Sequence, residues 1–183
     1  KPVFSGERSS TRTAKGLSQH FFYQAKTPLK IAKGDVFFCY VYLDARNPPT
    51  EIMLQFNDGS WDHRAYWGAD SIDWGKKNSP SRFSKGALPE MARWVRLEVP
   101  VSEVGLKAGS MINGWAFTQF DGTVYWDKAG IVSKADQYRI YDSLLSWEND
   151  QKAANAASLP AEIKSVVMLE SAKRSDAQQK QML

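Results

Sequence analysis

The chain has 183 residues, with 24 Lys and Arg against 20 Asp and Glu, and its mild net charge of +4 contains no long basic run, so nucleic acid is not indicated as a partner. This length accommodates one domain of about 100 to 150 residues plus an appendage, and no run approaches the roughly 20 apolar residues that cross a bilayer. Cys39 is the single cysteine, which excludes an intrachain disulfide or a Cys-based metal cluster.

Lys1 to Gly16 is polar and rich in Ser and Arg, and reads as an irregular lead-in with a short edge strand. Opening at Lys1 rather than Met, with no signal peptide, the chain is expected to be a processed protein or an excised piece. Phe21 to Ala25, Leu29 to Ile31 and Asp35 to Leu43 follow as apolar or alternating segments, broken by Pro28 and Lys33-Gly34. Cys39 lies within the third of these and is expected to be a buried thiol.

After Pro48-Pro49 comes EIMLQFNDGSWDHRAYWG, Glu51 to Gly68, which reads as a β-hairpin reversing at Asp58-Gly59. Ile52, Leu54 and Phe56 share one face and Met53, Gln55 and Asn57 the other, because successive strand side chains point oppositely. In the second strand Trp61, His63, Ala65 and Trp67 alternate with Asp62, Arg64 and Tyr66. Either face therefore keeps groups that stack and groups that hydrogen-bond.

Ala69 to Ala92 is a polar stretch of some two dozen residues, unusually long for a compact domain and of the kind that often carries function. It holds Trp74, Lys76, Lys77 and Arg82. Trp94 to Val99 alternates again, and a turn around Gly105 to Gly109 leads to Met111 to Phe120 and, through Asp121-Gly122, to Thr123 to Val132. This pair reads as a second hairpin. About eight short strands at this spacing indicate an all-β fold, an antiparallel β-sandwich over residues 1–133.

The period changes after Ser133. Tyr138, Tyr141, Leu144, Leu145 and Glu148 recur at 3.6-residue spacing, predicting a helix from about Ala135 to Ala154 able to dock on the sandwich. Pro160 opens a short second helix, and Ser175 with Gln178 has the form of a capping box for a third. Residues 134–183 are thus a helical spacer rather than a second core.

Tryptophan and tyrosine bind sugars because the C–H faces of a pyranose pack on an aromatic ring while neighbouring polar groups pair the hydroxyls. The stacking candidates are Trp61, Tyr66, Trp67 and Trp74, with Asn57, Asp62, His63 and Arg64 as polar partners; the alternative for these tryptophans is packing in the core. Lys76, Lys77, Arg82, Lys85 and Arg93, with Arg64, could draw an acidic polysaccharide by charge, or form an ordinary solvated surface. Asp62 and His63 are adjacent on one strand and point apart, so they form no simple acid-base pair, and no nucleophile motif lies nearby. Asp58, Asp62, Asp70, Asp73 and Glu51 form no acid pair two residues apart in a strong strand, as a hydrolase cleft would favour.

Gln19-His20-Phe21-Phe22, Ile52 to Gly68, Trp94-Val95-Arg96-Leu97-Glu98-Val99-Pro100 and Ile112 to Ile131 resemble a domain of large exported planctomycete proteins that combine cytochrome-c-like segments with domains of unknown function. The resemblance covers almost the whole chain. It implies a carbohydrate-binding or lectin-like sandwich followed by a helical spacer, an internal module of a multidomain parent, and a location that is exported, periplasmic or in the cell envelope. Gly6-Glu7-Arg8-Ser9, the Trp-Val-Arg-Leu strand and Val124-Tyr125-Trp126-Asp127 are also similar to jelly-roll carbohydrate-binding modules. That similarity implies a structural calcium held through Asp127, although Lys128 stands where a second acid would strengthen it. The Cys-x-x-Cys-His haem motif of the parent proteins is absent from these residues.

The expectation is therefore a non-catalytic polysaccharide-binding module, with other domains of its parent as further partners and no cofactor beyond that calcium. Its expected ligand-binding residues are Asn57, Trp61, Asp62, His63, Arg64, Tyr66, Trp67, Trp74, Lys76 and Arg82. The alternatives are a protein-protein or intramolecular scaffold with no glycan ligand and, third, a polysaccharide-acting hydrolase.

Overall fold

The structure is a computed structural model that describes residues 2–133, 141, 143–157 and 159–182. The chain divides into two compact units, 1–138 and 139–183. Among the described residues the regular elements of the first are strands.

Its strands are β1 Ser10–Phe22, β2 Leu29–Lys30, β3 Val36–Leu43, β4 Glu51–Asn57, β5 His63–Gly68, β6 Phe83–Ser84, β7 Trp94–Pro100, β8 Met111–Ile112 and β9 Gly114–Val132. All but β2 and β8, which pair with each other, belong to one seven-stranded sheet in the order β6-β5-β4-β9-β3-β7, with β1 also paired to β9. The sheet is mixed, because β6 runs parallel to β5 while the other pairs are antiparallel. The alternation in β3 is carried through: Phe37, Cys39, Val41 and Leu43 are buried, while Phe38, Tyr40 and Tyr42 are half-exposed on the other face. Burial pushes the Cys39 thiol pKa far up, so it stays protonated and behaves as a small apolar group.

The sheet curls so that its two halves share one core. Phe37 of β3 stacks on Phe56 of β4 at 4.0 Å between ring centroids although these strands are not paired, and Trp115 of β9 meets both rings at 5.2 and 5.0 Å. Ile52, Leu54, Ala65, Trp67, Val41, Leu43, Leu97, Val99 and Trp126 complete the same cluster. Each fully buried large apolar side chain contributes about 1.5–3 kcal/mol relative to exposure. One half is built from β4, β5 and the start of β9, and the other from β3, β7 and the end of β9.

β9 joins the halves, and here the structure corrects the expected second hairpin. Gly114–Val132 is one continuous strand that pairs with β4 over residues 114–120 and with β3 over 124–132. Asp121 and Gly122 bend it, with φ of 60° and 71°. The partner strand is interrupted opposite this point, between Ala14 and Leu17, and the Gly16 amide donates to Asp121 Oδ1 at 2.6 Å. The dipeptide that could have closed a turn therefore forms a corner, because β1 continues past it on the far side. A Cβ on Gly122 would lie 2.2 Å from Pro49 N and 2.3 Å from the Pro48 carbonyl carbon, so only glycine fits there.

The first expected hairpin is present as β4 and β5, in register from Glu51 opposite Gly68 to Phe56 opposite His63. Its connection runs from Asp58 to Asp62 and is longer than the two-residue turn expected.

The second unit is helical. Its elements are α1 Leu144–Ala153, α2 Ala161–Val167, a 3-10 turn at Ser171–Lys173 and α3 Asp176–Lys180. Pro160 caps α2, and Ser175 and Gln178 form the expected capping box. The upstream part of the first helix expected from the sequence, with Tyr138, falls outside the described residues; α1 begins after Ser143, whose hydroxyl accepts from the Ser146 amide at 3.1 Å. Leu145 is exposed, whereas Glu148 is buried with Arg174 in a two-pronged ion pair at 2.7 and 2.8 Å. Arg174 also donates to the Val166 and Leu169 carbonyls at 3.0 Å each, tying the last segment to α1 and α2. Its guanidinium holds the Glu148 carboxyl below the usual range.

Candidate functional site

The alternation that sends Ile52, Leu54 and Phe56 inward sends Met53, Gln55 and Asn57 to the outer face of the first half-sheet. The antiparallel register places Arg64 of β5 opposite Gln55, and Gln19 of β1 opposite Thr118 of β9, which itself lies opposite Met53. Polar side chains from four strands thus meet on one face.

They form a closed network. Arg64 Nε donates to Gln55 Oε1 at 2.8 Å. Gln55 Nε2 donates to Gln19 Oε1 at 3.0 Å and to Thr118 Oγ1 at 2.8 Å, and Thr118 Oγ1 in turn donates to Gln19 Oε1 at 3.2 Å. Arg64 Nη1 donates to Asp62 Oδ1 at 3.2 Å and to the Ser81 carbonyl at 3.1 Å. Gln55 is only 3% exposed and Arg64 9%, so their positions are fixed by partners rather than by solvent.

Above this floor is a groove of about 370 Å³ lined by Gln19, Phe21, Gln55, Trp61, Arg64, Asp73, Trp74 and Gly75. Phe21, 54% exposed, meets the edge of Trp61 at 6.0 Å and 83° between planes. Trp74 enters from the loop that follows β5 and rests on a second small apolar cluster of Met53, Tyr66, Ile72 and Phe120. The groove therefore offers aromatic rings, an amide and a guanidinium whose Nη2 is not used in the network, and a carboxylate.

The long loop that brings Trp74 is ordered by its own charges. Arg82 is buried and binds Asp70 at 2.6 Å and Asp73, while Lys77 binds Asp70 at 2.8 Å. Glu51 Oε2 accepts from the Ser71 and Ile72 amides at 2.6 and 3.0 Å, pinning the loop to the end of β4. Glu51 is fully buried, and this burial raises its carboxyl above the usual range against the pull of those two amides. Gly75, at φ 78°, passes directly over the floor: a Cβ there would lie 2.2 Å from the Ser81 carbonyl and 2.9 Å from Arg64 Nη1.

Of the residues singled out in the sequence, Trp61, Arg64 and Trp74 line the groove, and Asp62 stands at its edge through its bond to Arg64. The Ser60 hydroxyl, then Arg64, holds the Asp62 carboxyl below the usual range. The others lie elsewhere. Trp67 is 7% exposed inside the shared core and Tyr66 is buried in the small cluster beneath Trp74, so neither ring is open to a ligand. Asn57 accepts from the Gly59 amide at 3.0 Å and shapes the hairpin connection. His63 points to the core side, with Nδ1 2.6 Å from the Val104 carbonyl and Nε2 3.1 Å from Asp58 Oδ1. Lys76 is exposed in the loop, and Arg82 is its internal clamp. Asp127 Oδ2 accepts from the Phe4 and Ser5 amides at 2.9 and 3.2 Å. Among the described residues no group of three or more His, Cys, Asp or Glu is placed to hold a metal ion.

Gln19, Phe21, Gln55, Asp73 and Gly75 were not expected in the site. Gln55 was legible as sharing a strand face with Met53 and Asn57, but that this face is the outer one, and its role there, depend on β1 and β9, which only the fold brings alongside.

No protein-family model and no curated protein matches the chain. Two solved structures are similar at low level. One is a crystal structure of a fragment comprising domains C and D, 12% identical with a TM-score of 0.37, covering 69% of this chain and 52% of the other. The second is a crystal structure with xylogluco-oligosaccharide, 13% identical with a TM-score of 0.36, covering 69% of this chain and 30% of the other. The chain therefore spans about half the length of the first and under a third of the second.

Proposed function

We propose that the β unit is a non-catalytic carbohydrate-binding module with a jelly-roll or lectin-like sandwich fold, working within a larger exported protein. The observation that carries the reading is the groove in which Phe21, Trp61 and Trp74 border a floor of Gln19, Gln55 and Arg64. Rings of this kind take the C–H faces of a sugar, while the Gln19 amide nitrogen and Arg64 Nη2, which the internal network does not use, meet its hydroxyl oxygens. Because Gln55 and Arg64 are held by Thr118, Asp62 and Ser81 before any ligand arrives, little ordering cost falls on binding.

The charges favour an uncharged glycan over the acidic one that the loop's basic residues suggested. Arg64 is matched by Asp62, and Arg82 and Lys77 by Asp70 and Asp73, so an acidic sugar would have to compete with internal carboxylates. The same pairing supports a binding role over hydrolysis. A glycosidase needs a carboxyl that keeps its proton near neutral pH, but Asp62 is shifted the other way, and Glu51, which is shifted up, is enclosed behind Ser71 and Ile72.

The test is retention of the 183-residue chain on neutral and acidic polysaccharides, with Trp61→Ala and Trp74→Ala alongside. Binding to neutral glycans that both substitutions weaken without unfolding the chain supports the proposal. Absence of binding across the panel would replace it with the scaffold reading, and release of reducing ends would replace it with hydrolysis.

A further inference from the structure

The second half-sheet presents a different outer face. Phe38, Tyr40 and Tyr42 of β3 point away from the core because Phe37, Cys39, Val41 and Leu43 point into it. The register puts Trp94 of β7 and Tyr125 of β9 on either side of Tyr42. The three rings form a cross-strand row, with Tyr42 5.8 Å from Trp94 and 5.8 Å from Tyr125, the latter edge-to-face at 87°. The two halves share one core, so this face and the groove of Trp61 and Trp74 look away from each other.

The segment ahead of β1 already uses part of this face. Phe4 lies flat on Tyr40 at 3.6 Å and 16°, with its edge toward Trp94 at 6.1 Å, and the Phe4 and Ser5 amides are held by Asp127. Tyr40, the neighbour of Tyr42 on the same face of β3, therefore already carries a flat partner from within the molecule. Next to the covered ring is a cavity of about 310 Å³ lined by Pro2, Tyr42, Asp44, Ala45, Arg46, Ala92 and Tyr125. Its rim carries an acceptor and a donor two residues apart. Asp44 Oδ1 is fixed by the Arg46 amide at 2.9 Å, while the Arg46 guanidinium, 3.8 Å from that carboxylate, is almost wholly exposed.

We propose that this cavity is a second saccharide-binding site, with the perpendicular Tyr42 and Tyr125 rings as its aromatic wall, one of them offering its face for stacking, and Asp44 and Arg46 meeting neighbouring hydroxyls. Aromatic faces beside an adjacent carboxylate and guanidinium fit a sugar, which needs stacking together with both a donor and an acceptor. With the groove on the other half, the β unit is bivalent and bridges two chains of polysaccharide. Two weak sites facing opposite ways cross-link separate strands, and they raise avidity on a dense surface.

The experiment is a titration of the ¹⁵N-labelled 183-residue chain with neutral glucan, xylan and mannan oligosaccharides, together with calorimetric stoichiometry and polysaccharide precipitation for wild type, Trp61→Ala and Tyr125→Ala. The expected result is two separate groups of shifted amides, one around Gln55 and Trp61 and the other around Tyr42, Asp44 and Tyr125. Each substitution should remove one group, halve the stoichiometry and abolish precipitation. If Tyr125→Ala fails to fold, the wild-type shift map alone decides. Shifts confined to the groove overturn the second site, and shifts confined to Tyr42 and Tyr125 overturn the groove while leaving the second site standing. Silence at both overturns both, and a proline-rich peptide occupying the Tyr42 cavity where no oligosaccharide does overturns the second site alone.

Discussion

The two outer faces of the curled sheet are built from the same strand alternation and reach opposite chemistry. On the β4 and β5 face the outward residues are Gln55 and Arg64, locked with Gln19 and Thr118 into a buried polar floor, and aromatic rings come from outside the paired strands or from the β1 edge. On the β3 and β7 face the outward strand residues are themselves the rings, Tyr40, Tyr42, Trp94 and Tyr125, and the polar groups stand at the rim. A floor that is polar and fixed recognises by hydrogen-bond geometry, whereas a face of tilted rings recognises by stacking and shape. The first face should discriminate among sugars more sharply than the second.

The largest effect is expected where the halves join. Gly122→Val forces a side chain into the Pro48-Pro49 backbone at a positive φ, and the strain alone is worth about 1–3 kcal/mol before the clash is counted. The expected outcome is loss of the cooperative thermal transition and of both faces together, read by near-UV circular dichroism. Arg64→Ala should damage one face only. It leaves Gln55 Oε1 and the Ser81 carbonyl without their donor, at a cost of about 1–3 kcal/mol for a buried unsatisfied group, so the urea midpoint should fall and groove binding should vanish while the Tyr42 face is kept.

Trp61→Ala should leave stability nearly unchanged and weaken groove binding by about 30-fold, roughly 2 kcal/mol, as removal of a central aromatic contact does. A smaller effect is expected of Glu51→Gln. Burial raises the Glu51 carboxyl in the folded state, so its contribution to stability is full below its unfolded value of about 4.3 and is lost as pH rises through the folded value. Urea midpoints at pH 4 and pH 8 should therefore shift in favour of the Gln variant at the higher pH. The smallest expected change is with salt. An uncharged ligand on internally paired charges should bind the groove equally at low and high ionic strength, whereas an acidic ligand would be released.

The β-rich character, the division of β4 into two faces, and three of the groove residues were readable in the sequence, because alternation is a local property. Trp61 and Arg64 could be named from the Glu51 to Gly68 segment, and Trp74 from the long polar stretch that follows it. The corner at Asp121-Gly122 was not readable: the same dipeptide closes a hairpin or bends a strand, and the choice is made by Gly16, over a hundred residues upstream. Gln19 and Phe21 escaped for the same reason, since β1 reaches the groove only by pairing with β9. Trp67 was a fair stacking candidate by type, but its face is fixed by the register that puts it with Ile52 in the core. Glu148 matched an apolar stripe by spacing alone, and its burial is explained by Arg174, a partner that periodicity does not reveal.

The central claim is that a neutral glycan lies between Trp61 and Trp74 on the floor of Gln55 and Arg64. The most direct measurement is the set of indole N–H resonances of the seven tryptophans during titration with a neutral oligosaccharide. The account predicts that Trp61 and Trp74 shift with one shared affinity while the buried Trp67, Trp115 and Trp126 stay in place. Unmoved Trp61 and Trp74 resonances, in a chain that still binds the polysaccharide, would contradict it.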